Sequence, residues 1–573
     1  MIIGLDVGGT HTDVVLLGEN GLEKQVKVPT DTAALFNTVL TGLEKITENV
    51  PADEITHAVL STTLTTNAIV QGKLSPAGMI VTSGPGIHPE AFRTDENYFI
   101  VAGGIDHSGR EIEKLDPGQV NAAADQLERA GIRHVGVVGK FSVRNPAHER
   151  QIAEILGERF DRVFLGHRIS GNFGFPRRIN TAFLNASVYP VHRNFFEAVS
   201  HSLEQKGIQV PIHILKADGG TMGFESSITF PGQSILSGPA ASVMGSVAFA
   251  PDYTETLILD IGGTSTDMAV LIKGLPLLAP HGVDINRYQT LIRALKTQSI
   301  GIGGDSCVRV IDGVLKIGPD RTGKAMGYGG SDPTPTDALF VLERSVGGDR
   351  GRALQGIEPI AAQLGLSVEE AAFEIFDKTC REILAGARQM VADINSKPVY
   401  TVKEALEGYQ VNPDHILVLG GPAEYFAEHF ENISGYTVDT VPECQVANAI
   451  GTALSRTTCE ITLFVDTQKG LATAPEESFS QTVNLHFNRQ DAHRMAADLL
   501  KQKAVKLGAS TPDIETELLE DLEFNIVRGF RMMGKNLRVK QQIKPGLIHD
   551  FKTISKKIAD SCVRQRKDRE WKS

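Results

Sequence analysis

Residues 4–13 read GLDVGGTHTD and residues 258–267 read ILDIGGTSTD, so one chain carries the pattern D-[VI]-G-G-T-x-T-D twice, 254 residues apart. A lone glycine pair decides little, but a pattern of this length recurring at the head of each half marks an internal duplication. Each copy opens on an apolar strand (Ile2–Asp6; Thr256–Asp260), bends through Gly-Gly-Thr and enters a second strand (Asp13–Leu17; Asp267–Ile272). In the first half the turn Glu19-Asn20-Gly21 is a hairpin signal that predicts a third strand over Lys24–Pro29. A helix over about Thr32–Glu48, a strand His57–Ser61, a helix from Thr63 and a strand Gly78–Thr82 follow. Gln119–Ala130 reads as a helix stopped by Gly131, and His134–Gly139 as a strand. Asn145 with Pro146 opens another helix, to about Arg159. Antiparallel strands followed by alternating helices and strands predict a mixed sheet covered by helices.

An insertion interrupts the second half. Cys307–Ile317 predicts a type I′ hairpin about Asp312-Gly313, and helices are expected over Val368–Ser396 and Val402–Glu407. The strand His415–Leu419 then runs into Gly420-Gly421-Pro422. Beyond about Thr467 the periodic signals weaken. From Arg531 to Ser573 there are 13 Lys+Arg against 4 Asp+Glu, a net +9 in a chain of net charge −12. This basic end reads as a solvated helical accessory segment; with few aromatics to stack bases, it argues against nucleic acid.

Composition bounds the rest. A chain of 573 residues, 41% hydrophobic and 22% charged, has globular cores and several domains. Its 57 glycines exceed average usage and predict backbone that approaches a ligand closely. The five cysteines form no CxxC pair, which excludes a disulfide scaffold and a four-cysteine zinc site. The opening MIIGLDVGGTHTD lacks the charged and apolar regions of a secretory signal, and no run of 18 apolar residues is present. A cytoplasmic protein that does not span the membrane is expected.

The chemistry of the repeat points to a nucleotide. Bends built from Gly8, Gly9, Thr10, His11, Thr12 and Asp13, and from Gly262, Gly263, Thr264, Ser265 and Thr266, offer successive N–H groups and hydroxyls to phosphate. A carboxylate beside phosphate is repulsive unless a cation lies between, so Asp6 and Asp260 imply Mg²⁺ held largely through waters. Asp6, Asp260 and Asp267 are the candidate organisers of metal and water, and one of them becomes a general base if the substrate offers a hydroxyl. Two facing bends would clamp a triphosphate. If both were merely tight turns, the recurrence of the threonines and aspartates would be unexplained. Gly420-Gly421 reads either as a platform for a flat adenine or as a plain strand-to-helix turn. Arg178, beside Arg177, reads either as a bidentate grip on a substrate carboxylate or as part of a surface ion pair. Asp106-His107, near Arg110, reads either as a catalytic pair or, more simply, as part of a hairpin turn at Ser108-Gly109, and Cys307 either as a nucleophile or, with no positioned histidine, as a buried small hydrophobe.

This arrangement resembles the actin, sugar-kinase and Hsp70 nucleotide fold, in which two duplicated halves close around ATP. Within that fold the chain resembles the hydantoinase A and 5-oxoprolinase family. The segments that carry the resemblance are GLDVGGTHTDVVL, STTLTTNAIV, SILSGPAASVMGS, DIGGTSTDMAVL, SIGIGGDS, GPDRTGKAMGYGG and PTPTDALFVLE, in order over residues 1–470. The resemblance implies duplicated actin-like (ribonuclease H-like) α/β domains with an interdomain nucleotide cleft and a small α-rich C-terminal extension. The expected divisions are 1–185, 186–470 and a basic, mainly helical 471–573. It places Thr63 with the catalytic group, Thr62 and Asn67 toward substrate, and Gly303, Gly304 and Asp305 with the nucleotide.

The resemblance further implies ATP-dependent opening of a cyclic amide such as a hydantoin or 5-oxoproline, often with a second hydantoinase-type subunit; a homo-oligomer is also expected. Phosphorylating the amide oxygen makes a poor electrophile attackable by water, and requires mainly positioning and charge neutralisation. A small-metabolite kinase, an ATP-driven carboxylase subunit of the same fold, and a nucleotide-dependent regulatory switch are the rival readings. The chain departs from the family at His11, where an aromatic residue is usual, at Asp305, where a glycine is, and at Gln298, near which a histidine is. The stretch RTDENYFIVAGGIDHSGREIEKLD replaces an Arg/Glu-rich segment. The loop before Gly329-Gly330 is shorter, and the large C-terminal region of the longest relatives is missing.

Overall fold

The computed structural model describes the whole chain except residues 32–33, 85, 206, 252–254, 280, 346, 397–409 and 571–573. The helix expected over Val402–Glu407 lies outside the described residues. Both halves are built on one topology. Ile2–Val7 pairs antiparallel with His11–Gly18 and parallel with His57–Thr62. Glu255–Ile261 pairs antiparallel with Thr266–Ile272 and parallel with His415–Leu419. The central strands are apolar and buried on both faces, as a sheet covered by helices requires. The repeat therefore nucleates two equivalent sheets, and the bends end both at the same edge.

Several local expectations are met in detail. Asp312 and Gly313 both take positive φ (53° and 74°) between the strands Val308–Ile311 and Val314–Ile317, as a type I′ turn demands. Gly131 has φ 72° just past the helix Pro117–Arg129. The Asn145 side chain accepts the Ala147 amide at 3.0 Å, but Pro146 is itself the cap of the helix Ala147–Leu156, one residue later than expected. Asp106 closes a turn by accepting from the Ser108 and Arg110 amides, and Cys307 is buried.

The domain divisions are corrected. The boundary placed at 185/186 falls inside the 31-residue helix Phe175–Gln205. Beyond that helix, Ile212–Leu215 pairs parallel with His57–Thr62, and Thr221–Gly223 adds the outermost strand, so the first sheet is completed only by residue 223. Helix Phe175–Gln205 packs against more than one element and lacks a clean apolar stripe, which hides it from periodicity. Residues 78–165 supply a separate four-stranded sheet ordered Arg162–Leu165, His134–Gly139, Gly78–Thr82 and Tyr98–Ile100.

The C-terminal region is not mainly helical. Glu460–Asp466, Leu471–Ala474, Phe479–Thr482, Thr516–Arg528 and Arg531–Ile543 form a five-stranded antiparallel sheet, backed by the helix Arg489–Lys506. The first stretch of the basic end, Arg531–Ile543, is thus a strand, while its later stretch, Phe551–Glu570, is helical as expected. The strand's charges pair across the sheet, as in Lys535–Glu523 and Arg538–Glu520, so alternation with acidic partners replaces an amphipathic helix. Helix Phe551–Glu570 folds back onto the first half, where Ile558 lies against Gly21 and joins the core.

Helices Ser237–Val247 and Ala447–Leu454 cross between the two sheets at glycines. A Cβ at Gly451 would stand 2.1 Å from the Gly245 nitrogen, and one at Gly4 2.3 Å from the Ala449 oxygen. Backbone touches backbone here, and this contact sets the separation of the halves.

Candidate functional site

The ladder that pairs each strand with its neighbour also pairs the aspartates. Asp6 stands opposite Asp13, and Asp260 opposite Asp267. Directly opposed like charges repel, yet the duplicated halves bring both pairs to one place. A Cβ built at Gly263 would lie only 3.8 Å from Thr10 Cγ2, so the two bends meet. Asn448 donates to Asp260 at 3.1 Å and lies near Asp6 as well, linking the carboxylates through the crossing helix.

Burial, with the charges of Asp13 and Asp260, pushes the Asp6 carboxyl up to about 7. Burial and the Asp260 charge raise Asp267 to about 6. Burial also raises Asp260, offset by donation from Ser242 and Asn448, and raises Asp13, offset by Lys27, whose Nζ lies 2.6 Å from Asp13 Oδ1. Asp6 Oδ1 is buried and has no hydrogen-bond partner. A buried orphan oxygen amid proton-retaining carboxylates is the electrostatic deficit that a hard cation would remove. Asp6 and Asp260 therefore suit Mg²⁺. Among the described residues no group of three or more His, Cys, Asp or Glu side chains is placed to hold a metal ion.

This electrostatics predicts a pH dependence. Between pH 4 and 7 the unfolded chain ionises Asp6 while the folded one keeps its proton. Stability of the metal-free protein therefore falls as pH rises through that window, by about 3 kcal/mol from Asp6. Asp6→Asn removes this part of the slope in denaturant titrations at pH 5 and 7.5. A variant that tracks the wild-type slope shows that Asp6 is ionised throughout.

Not every residue of the motif faces the cleft. In both bends the first glycine amide closes on the residue three further on, Gly8 to His11 O at 3.0 Å and Gly262 to Ser265 O at 2.9 Å. Gly9, His11 and Thr264 are exposed, while Thr10, Gly263 and Ser265 are half-buried. Thr12 and Thr266 are fully buried, which corrects their assignment to the nucleotide. Thr12 shares a hydrogen bond with Thr30, and Thr266 donates to Ile302 O at 2.7 Å. The threonines recur because each braces its own bend.

Gly303 and Gly304 are corrected in the same way. Gly303 N donates to Ser306 Oγ at 2.8 Å and Gly304 N to Gly262 O at 2.9 Å, so this segment splints the second bend. A Cβ at Gly303 would sit 2.6 Å from Gly262 O. Asp305, by contrast, reaches the cleft, paired with Arg321 at 2.9 Å and close enough to His11 to raise its basicity against the effect of burial. Gly420 has φ 99° and no room for a Cβ, which would meet Asp260 Oδ1 at 2.8 Å; Gly421 beyond it is open.

Thr62 and Thr63 meet the SGPA segment. Ser237 Oγ donates to Thr62 O at 2.9 Å and accepts the Thr62 amide, so these two sequence-distant motifs are stitched together. Thr62 is buried and its hydroxyl accepts the Leu64 amide, which corrects its substrate assignment. Thr63, half-buried, donates to Val7 O at 3.2 Å and accepts from Asn67 at 3.3 Å. Arg178 is corrected too. It is wholly buried, and both terminal nitrogens donate to the carbonyls of Gly139, Lys140, Asn172 and Phe173, so the guanidinium fork is engaged by backbone and only the buried Nε is unpaired.

Lys27, Ser242, Asn448 and Arg321 were not singled out in the sequence. Lys27 stands opposite Asp13 only because the register shifts between Leu16 and Leu17, so counting across the Asn20-Gly21 hairpin misses it by one residue. Ser242 and Arg321 lie inside the segments SILSGPAASVMGS and GPDRTGKAMGYGG, whose sequence does not say that they reach the bends, and Asn448 comes from an element with no such signal.

The hydantoinase/oxoprolinase family profile matches residues 178–461, and the profile of its N-terminal region matches residues 2–160. The chain belongs to the hydantoinase/oxoprolinase family. It is 27% identical over 434 residues to the caprolactamase subunit alpha of Pseudomonas jessenii, covering 68% of this chain and 62% of that protein. It is 29% identical over 435 residues to the acetophenone carboxylase gamma subunit of Aromatoleum aromaticum, covering 65% and 58%. The chain thus spans about three-fifths of these relatives' lengths. Its fold matches nucleotide-free acetone carboxylase at TM-score 0.70 and 19% identity, covering 96% of this chain and 88% of that one. It matches the ATP-dependent caprolactamase of Pseudomonas jessenii at TM-score 0.67 and 21% identity, with the same coverage. The duplicated actin-like architecture is that of its family. Among the described residues no helix is long and apolar enough to cross a membrane.

Proposed function

We propose that this family member is an ATP-dependent hydrolase that opens a cyclic amide by phosphorylating its carbonyl oxygen. The observation that carries the reading is the convergence of Asp6, Asp13, Asp260 and Asp267 at two touching glycine bends. Mg²⁺, held by Asp6 and Asp260 through water, would neutralise the phosphates. The exposed tips of the bends orient the triphosphate, and Gly421 leaves room for the adenine. A carbonyl oxygen carries no proton to remove, so the acids serve to place water and charge. Named relatives that act on lactams, a caprolactamase and 5-oxoprolinases, support the amide as substrate.

A second reading, ATP-driven carboxylation, is favoured by the similarity to carboxylase subunits. Phosphate release from ATP and Mg²⁺ distinguishes the two. Stimulation by caprolactam, 5-oxoproline or hydantoin with a ring-opened product supports hydrolysis. Stimulation only by a ketone with bicarbonate supports carboxylation, and no stimulation by either sinks both.

A second subunit is the proposed partner. Thr516–Arg528 is the outer strand of its sheet, and the hairpin it forms with Arg531–Ile543 exposes Phe524, Val527, Phe530 and Met532. An apolar open edge of this kind is a template for another chain. Phe530→Glu would leave the fold intact and weaken assembly with that subunit in sedimentation velocity; unchanged assembly would place the interface elsewhere.

A further inference from the structure

A cavity of about 90 Å³ lies where the end of the strand Ile212–Leu215, the segment around Arg293 and the start of the strand Glu460–Asp466 converge. Ile214 stands beside Leu60, and Leu60 beside Leu5, so Lys216 and Asp218 leave the sheet at the same carboxyl edge as Asp6, two strands away. Open α/β sheets bind ligands at that edge.

Most of the charge around this cavity is satisfied internally. Lys216 Nζ donates to Thr458 O at 2.8 Å and pairs with Asp218 at 3.3 Å. Asp218 also accepts from the Gly220 amide at 3.1 Å and from the Thr458 hydroxyl at 2.9 Å. Arg293 is different. Its Nε, Nη1 and Nη2 are all buried, and none makes a hydrogen bond. The flanking carboxylates, Asp218 at 3.6 Å and Glu460 at 3.7 Å, balance its charge from beyond hydrogen-bond reach. A guanidinium carries five donors in a planar fork, and buried donors of this kind find acceptors in native proteins. The rest of the lining includes Met222 and Phe230, which give the cavity an apolar wall.

We infer that this cavity binds a small organic carboxylate, with both oxygens held by the Arg293 fork and the carbon body against Met222 and Phe230. The fork matches a planar carboxylate, and the neighbouring Asp218 and Glu460 select a monoanion over a phosphate dianion. The inference does not depend on how the aspartate bends are used, and its test reads binding.

The full chain without nucleotide is titrated calorimetrically with butyrate, 5-oxoproline, the neutral isostere butyramide and inorganic phosphate. The expected result is saturable binding of a carboxylate, with butyramide and phosphate at least about 30-fold weaker. Arg293→Gln weakens carboxylate binding by a similar factor while ATP binding is retained, and Arg293→Lys recovers part of it. Equal binding of butyrate and butyramide to the wild-type chain, tighter binding of phosphate, or no saturable carboxylate binding overturns the inference without recourse to a variant. So does a carboxylate-soaked crystal in which water alone meets Arg293. Loss of ATP binding with carboxylate binding intact would count against the bends and leave this cavity standing.

Discussion

Asp260→Ala lowers ATP turnover at least about 100-fold in a chain that still folds. Removing one preorganised electrostatic group from a phosphoryl-transfer site costs about 2.7–4 kcal/mol of barrier, and Asp260 is such a group. Its carboxylate receives Ser242 and Asn448, lies at the strand end beside Gly420, and acts on both Asp6 and Asp267. Losing it also removes repulsion within the cluster, so the variant without metal should be no less stable than wild type near pH 7. More kilocalories of folding and fewer of activation would be the mark of a mere turn cap. The measurement is steady-state phosphate release at saturating ATP and Mg²⁺, paired with a denaturant midpoint. Turnover within a few-fold of wild type in a folded variant rejects the assigned role.

Gly451→Ala destabilises the fold by at least about 3 kcal/mol. In an exposed helix interior the same change would stabilise by about 1 kcal/mol, so the sign alone is diagnostic. At Gly451 the new methyl would stand 2.1 Å from Gly245 N and 2.6 Å from Gly245 Cα. These are backbone atoms of a helix packed under both sheets, so relief requires the two halves to move apart. Gly323→Ala is the matched control, because a Cβ there meets nothing within 4 Å. Urea midpoints of the two variants against wild type give the comparison. If both variants behave alike, the crossing of the helices is looser than their contact indicates. Because this crossing sets the spacing of the bends, a surviving Gly451 variant should also bind ATP more weakly.

The duplicated D-[VI]-G-G-T-x-T-D motif was sufficient by itself to determine the two-fold architecture, the antiparallel opening of each sheet and the facing of two aspartates within each half. These follow from short-range rules: period-two apolar strands, glycine turns, and the ladder register that places Asp6 opposite Asp13. Turn chemistry was legible for the same reason, as at Asp312-Gly313. What the tertiary structure alone decided is which motif residues face the cleft. Thr12 and Thr266 look like phosphate ligands until their neighbours Thr30 and Ile302 are in place, and Arg178 looks like a substrate grip until four carbonyls surround it. The helix Phe175–Gln205 and the C-terminal sheet were hidden because burial on several sides, and charge paired across strands, erase the periodic signals that a sequence displays. Side-chain role depends on long-range contacts, and those exist only once the chain has closed on itself.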